Sequence, residues 1–130
     1  MVAGAPSPAV LRRFALAALP ARSSITLRVV GAAESKKLNR KYRAKNKPTN
    51  VLSFPYGGGS GDVVLCHPVI RKESSQQGKS LRAHYAHMVV HGVLHLRGHD
   101  HRRRTEAEHM ERVEIRALAH LGFPDPYGIE

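Results

Sequence analysis

Four histidines fall within the eleven residues HGVLHLRGHDH, from His91 to His101. Histidine is the commonest metal ligand, and two of them four positions apart on a helix present their rings on one face. His91 and His95 have that spacing, so their imidazoles can close on one ion about 2.0–2.1 Å from each nitrogen. His84 and His87 lie on the same stripe, but a rise of ~1.5 Å per residue sets His87 about 12 Å from His95, too far to share an ion with it. A third ligand therefore needs a chain reversal. Gly98 supplies it, because glycine adopts the positive φ that ends a helix. His101, three residues on, then returns toward the ion. His99 and Asp100 are rivals in the same turn. His99 ranks below His101 because Gly98 has already interrupted the helix, and Asp100 is suited to orienting an imidazole.

The resulting H-x-x-x-H-x-x-G-x-x-H has the ligand spacing of metzincin metalloproteases. In those enzymes the residue after the first histidine is a glutamate that acts as general base; here it is Gly92, which cannot take a proton. Three neutral ligands still leave a fourth tetrahedral position for water. Zinc lowers the pKa of such a water toward ~7, so hydrolysis does not require the glutamate. Structural zinc usually takes four protein ligands, commonly with cysteine. The only cysteine, Cys66, is far away in the sequence, in the apolar run DVVLC, where it reads as a small core residue.

Charge narrows the substrate. With 21 Lys+Arg against 10 Asp+Glu the chain carries +11, a balance that favours polyanionic partners, since neutralising phosphates releases counterions. Much of it sits in KKLNRKYRAKNKP: Lys36, Lys37, Arg40, Lys41, Arg43, Lys45 and Lys47. Arg43, at the end of a helix and just before a turn, can present its planar fork to a phosphate and stabilise charge developing on it. Arg102, Arg103 and Arg104 follow the histidine motif directly. A metal next to two basic segments points to a phosphodiester substrate.

These residues need a scaffold. A length of 130 residues fits one domain, residues 1–130, and one cysteine excludes an intramolecular disulfide and suits a reducing compartment. No apolar run approaches the ~20 residues of a membrane span. Arg12-Arg13 before FALAALPA faintly resembles a secretory signal, but SPAVLRRFALAAL reads better as a helix. Ser7 is its N-cap, Pro8 its first residue, and Val10, Leu11, Phe14, Ala17 and Ala18 its apolar face.

Further along, Ile25 to Val30 reads as a strand and Ala32 to Arg43 as a helix with Leu38 and Tyr42 facing the core. Val51 to Phe54 and Asp62 to Cys66 read as strands joined by the flexible loop PYGGGSG, a hairpin being possible. Pro68 opens a short helix that Gly78 closes. Ser80 starts a longer one through Arg97, and a last helix begins near Thr105, where Thr105 and Glu108 have capping-box spacing, and ends at Gly122. This order gives an α+β fold, a small mixed sheet flanked by helices, with the metal site at the end of the long helix.

The chain resembles the YbeY family of bacterial endoribonucleases of ribosomal RNA maturation. The likeness is carried by LNRKYRAKNKPTNVLSFP (Leu38 to Pro55), GDVVLC (Gly61 to Cys66), AHMVVHGVLHLRGHDH (Ala86 to His101) and AHLGFPDPY near the end. The resemblance implies a zinc-dependent, single-strand-specific endoribonuclease of the cytoplasm, acting in 16S rRNA 3′-end maturation and ribosome quality control. Its partners would be single-stranded or ribosomal RNA, with the small subunit and its proteins. By position His91, His95 and His101 would match the ligands of its one Zn²⁺, and Arg43 its functional arginine. Lys41, Lys45 and Lys47 would join Arg43 on the RNA. The sequence departs from the family pattern in three places: family members usually have a strand before the first helix, the Gly57 to Gly61 loop is short, and Asn46 stands where aspartate is frequent.

The general base stays open between zinc hydroxide, a ribose 2′-hydroxyl and help from His87. Two other functions fit some of the same residues: a ribosome-assembly or RNA-binding factor with a structural metal, and a metzincin-like metal-dependent hydrolase.

Overall fold

Serine caps, early prolines and apolar alternation set the element boundaries. This computed structural model describes residues 2–19, 23–98 and 103–128. In chain order they form α1 (Pro8–Leu16), β1 (Ile25–Val30), α2 (Ala32–Arg43), β2 (Val51–Gly57), β3 (Ser60–Cys66), α3 (His67–Gln76), α4 (Leu81–Leu96) and α5 (Arg104–His120). The Ser7 hydroxyl accepts the Val10 N–H at 3.3 Å, and that of Ser80 accepts the Ala83 N–H at 3.0 Å, so α1 and α4 begin where their caps stand. α1 ends at Leu16 rather than running on to Leu19. Its last turn tightens, with Ala17 N–H on the Phe14 carbonyl at 3.3 Å and Ala18 N–H on that of Ala15 at 3.1 Å.

The sheet is mixed, as expected, in the order β1-β3-β2. β3 takes the centre because Val63, Val64, Leu65 and Cys66 are buried on both faces, while β1 alternates half-buried Ile25, Leu27 and Val29 with exposed Thr26 and Arg28. β1 runs parallel to β3, from Ile25 opposite Gly61 to Val30 opposite Cys66; β2 runs antiparallel to it, with Val51 opposite Leu65. The expected flexible loop is a hairpin. Both strands continue to the Gly57–Ser60 pair, and Gly58 and Gly59 turn the chain at φ 63° and 81°, the two positive angles of a tight I′-type connection.

Helices cover both faces. On one, Val63 and Leu65 pack with Val89, Val90 and Val93 of α4, Leu11 and Phe14 of α1, and Met110 and Leu118 of α5. On the other, Val30, Leu52 and Val64 are covered by Leu38 of α2 and by Phe54. Tyr42 does not join this layer: it is 56% exposed and rests edge-on against Phe54, with ring centroids 5.1 Å apart. Ser35 and Asn39 are the buried members of α2. The Ser35 hydroxyl donates to the Thr49 carbonyl and accepts the Thr49 N–H, both at 3.0 Å, and the Asn39 amide donates to the Lys47 carbonyl at 2.8 Å. Hydrogen bonding thus displaced the apolar contact anticipated there, and it pins the returning loop.

Thr105 is not the cap of α5. Arg103 adopts the extended cap conformation, and its carbonyl takes the Ala107 N–H at 2.8 Å, which places Thr105 already inside the first turn. Glu108 instead accepts from Arg104 Nε at 3.2 Å.

α4 meets the sheet at Gly92. A Cβ built there would lie 2.7 Å from Val63 Cγ1 and 3.1 Å from Val51 Cγ2, and the Gly92 carbonyl accepts the Ser53 hydroxyl at 2.9 Å. Gly92→Ala is therefore expected to destabilise the fold by about 1–2 kcal/mol, overpacking outweighing the gain in helix propensity. Urea denaturation measures this, and an unchanged or raised midpoint contradicts the packing. Burial also lowers the pKa values of His67 and His84, the latter despite its Glu73 partner. In the unfolded chain both bind protons more readily, so stability in chelator should fall as pH drops from about 7.5 to about 5.5. Urea midpoints across that range test it, and a flat profile refutes it.

Candidate metal centre

The α4 helix is buried almost all round, so its histidines are held by packing before any ligand arrives. His91 and His95 are the half-exposed exceptions near its C-terminal end, flanking the contact at Gly92. Their Nε2 atoms lie 3.1 Å apart, with the rings 4.6 Å apart and inclined at 74°. Two nitrogens bound tetrahedrally at 2.0–2.1 Å to one ion stand roughly 3.3 Å apart. The pair that sequence spacing brought together is therefore close to ligand geometry. Gly98, at φ 90°, ends the helix region as expected. His101, His99, Asp100 and Arg102 lie outside the described residues.

The other histidines of the stripe turn to carboxylates. His84 Nε2 meets Glu73 Oε1 at 2.8 Å, and Asn50 donates to the same carboxylate at 3.2 Å. His87 Nε2 lies 3.3 Å from Glu114 Oε2 and 3.1 Å from the Tyr127 hydroxyl. His91 Nδ1 lies 2.7 Å from Glu114 Oε2, and the Tyr127 hydroxyl donates to Glu114 Oε1 at 2.6 Å. Glu114 is 1% exposed. Burial alone would push its carboxyl upward in pKa, but hydrogen bonds from His87, His91 and Tyr127 win and hold it at about 2. Tyr127 is raised, by burial first and then by that carboxylate.

His87, His91 and Glu114 form a second grouping able to hold a metal ion, with ligand atoms within 4.8 Å of one another. Their contacts already match donors to acceptors. The 2.7 Å contact of His91 Nδ1 with Glu114 is a hydrogen-bond length, shorter than the separation of two ligands on one ion.

Sequence reasoning missed Glu114 and Tyr127. One signal for Glu114 was available: it interrupts the apolar stripe Met110, Val113, Ala117 and Leu118 of α5, and a glutamate on a core face must find partners. Nothing local marks Tyr127, which reaches the site through the turn in which its N–H meets Asp125 Oδ1 at 2.8 Å.

The basic residues belong to α2 and the loop that follows it. Arg43 is the last residue of α2, exposed, as are Lys41, Lys45 and Lys47. Lys41 Nζ stands 5.2 Å from the Tyr42 ring centroid. Leu52 and Phe54 of β2 face α2, whereas Val51 and Ser53 face α4. α2 and α4 thus lie on opposite faces of the sheet, and side chains of β2 meet both.

Comparison with known proteins places this arrangement. Residues 9–122 match the family model described as Endoribonuclease YbeY. A relative of that name from Aromatoleum aromaticum is 52% identical over 128 residues, covering 96% of this chain and 83% of the relative. Another, from Laribacter hongkongensis, is 48% identical over 139 residues, covering 98% and 84%. The solution structure of TM1509 from Thermotoga maritima shares the fold, with a TM-score of 0.56 at 20% identity over 88% of this chain and 77% of that one. The histidine motif, the mixed sheet and these matches agree that the chain belongs to the YbeY family of endoribonucleases.

Proposed function

We propose that residues 1–130 act as one zinc-dependent domain that cuts single-stranded RNA, in 16S rRNA 3′-end maturation and ribosome quality control in the cytoplasm. Family membership supports the reaction class. The observation that carries the metal is the pair of Nε2 atoms of His91 and His95, 3.1 Å apart at the end of a buried helix. The motif's spacing supports His101 as the third ligand. When bound, the ion would supply Lewis-acid polarisation of the scissile phosphodiester.

The chain's own residues do the rest. Arg43 clamps a phosphate with its planar fork. Lys41, Lys45 and Lys47 track the backbone of the strand, and the hydrogen bonds from Ser35 and Asn39 hold the loop that carries the last two. A strand that touches both Arg43 and the histidines crosses the exposed edge of β2. Its partners are ribosomal RNA and the small subunit with its proteins. Among the described residues no helix is long and apolar enough to cross a membrane. His87 is poorly placed as general base, because its Nε2 faces Glu114 and Tyr127 and its Nδ1 is buried out of reach of a substrate. Attack by water or by a ribose 2′-hydroxyl is what this reading leaves.

Metal-stripped protein should cut labelled single-stranded RNA only after Zn²⁺ is restored, and His95→Ala should abolish both binding and cutting. Arg43→Ala should bind zinc normally yet cut roughly 10²-fold more slowly. If all preparations cut alike, the activity is a contaminant; if none cuts although zinc binds tightly, the metal is structural and an RNA-binding assembly role replaces catalysis. A salt titration of RNA binding separates the lysines. Each contact with a single strand contributes about −0.7 to the slope of log K against log salt, so Lys45→Ala with Lys47→Ala should flatten it by about 1.4. An unchanged slope removes both from the interface.

A further inference from the structure

The buried carboxylate on α5 is the feature that the zinc reading leaves unused. We propose that Glu114 is the positioning residue of the metal centre: it holds His91 through Nδ1–H so that the Nε2 lone pair is left for the ion, while Tyr127 and His87 hold Glu114. This rests on the reading that the ion sits on His91 and His95.

The proton assignment follows from the contacts. An ionised carboxylate only accepts, so the 2.7 Å contact from His91 Nδ1 to Glu114 Oε2 places a proton on Nδ1, and in the neutral ring that a metal requires the lone pair is then on Nε2. The Tyr127 hydroxyl, 2.6 Å from Glu114 Oε1, must likewise donate. Having spent its proton, it accepts from His87 Nε2 at 3.1 Å, whose N–H also leans on Glu114 Oε2 at 3.3 Å. One arrangement of protons satisfies these four contacts around Glu114 and Tyr127. The donors come from two turns of α4 and from the segment after α5, so the carboxylate is fixed from three directions and cannot swing.

Such a partner does two things for a ligand. It stops the ring rotating, and its negative charge makes the far nitrogen a better electron donor. Losing a partner of this kind typically weakens a metal site 10–100-fold. The C-terminal turn enters the same chain of contacts, because the hydrogen bond from Tyr127 N–H to Asp125 seats the hydroxyl that fixes Glu114.

The test measures affinity rather than cleavage, with Zn²⁺ titrated against a chromophoric chelator and Co²⁺ as a spectroscopic probe in the full chain. Glu114→Gln should retain one site per chain but weaken Zn²⁺ binding roughly 10–100-fold and shift the visible Co²⁺ bands. Tyr127→Phe, which removes one hydroxyl from a side chain that is 42% exposed, should weaken it several-fold in the same direction, and it decides the matter if Glu114→Gln does not fold. Wild-type affinity and an unshifted spectrum in these variants overturn the positioning role while His95→Ala still loses the metal. A different result marks failure of the underlying reading: if His95→Ala keeps wild-type affinity while His87→Ala and Glu114→Gln lose the ion, Glu114 is itself a ligand.

Discussion

The close approach of α4 to the sheet at Gly92 governs the rest of the structure. No side chain separates helix from strand there: Val63 and Val51 occupy the space a Cβ would need, and Ser53 ties its hydroxyl to the Gly92 carbonyl. His91 and His95 lie on either side of this contact along the helix, so the axis that sets their separation is held by the sheet itself. A looser contact would let α4 rotate, and a rotation of a few degrees moves an imidazole nitrogen by a sizeable fraction of an ångström at the end of its side chain. Packing is therefore what makes the 3.1 Å separation a fixed quantity rather than one of many rotamer outcomes.

Burying so polar a helix needs compensation. α4 sends His84 and His87 into the interior, and each finds a carboxylate, from Glu73 on α3 and from Glu114 on α5. These contacts tie the helices around α4 together at the same points at which they orient imidazoles. Breaking one partner of such a pair is costly, because the group left behind stays buried without its hydrogen bond. Fold and site consequently share interactions. Damage to Glu114 would reach both, which is why affinity and spectrum, rather than activity, separate its positioning role from its structural one.

Local interactions were legible in the sequence, and distant ones were not. The His91 and His95 pair, the Ser7 and Ser80 caps and the stop at Gly98 depend on residues within a turn or two of one another, and spacing alone exposed them. Thr105 and Tyr42 misled for the same reason. Both had the right neighbours, but Arg103 took the cap through its backbone, and the polar grip of Ser35 and Asn39 on the 44–50 loop took the buried face of α2. Glu114 meets His91 across 23 positions, and Tyr127 meets His87 across 40. Only the misplaced charge in the apolar stripe of α5 hinted at the former.

The packing at Gly92 also bears on the glutamate that the histidine spacing calls for and the sequence lacks. In a metalloprotease the residue after the first histidine carries the general base. Here that position is the one pressed against Val63 and Val51, on the side of α4 that faces the sheet rather than the exposed end of the histidine pair. A glutamate would have nowhere to go, and even an alanine meets a valine methyl at 2.7 Å. Among the described residues, the carboxylate that meets the pair is Glu114, which reaches the far nitrogen of His91. It can orient the ligand but cannot take a proton on the side where the Nε2 atoms converge. A general base at position 92 is thus ruled out by how the helix packs. A reaction that draws its nucleophile from water or from the substrate's own hydroxyl asks for no base at that position.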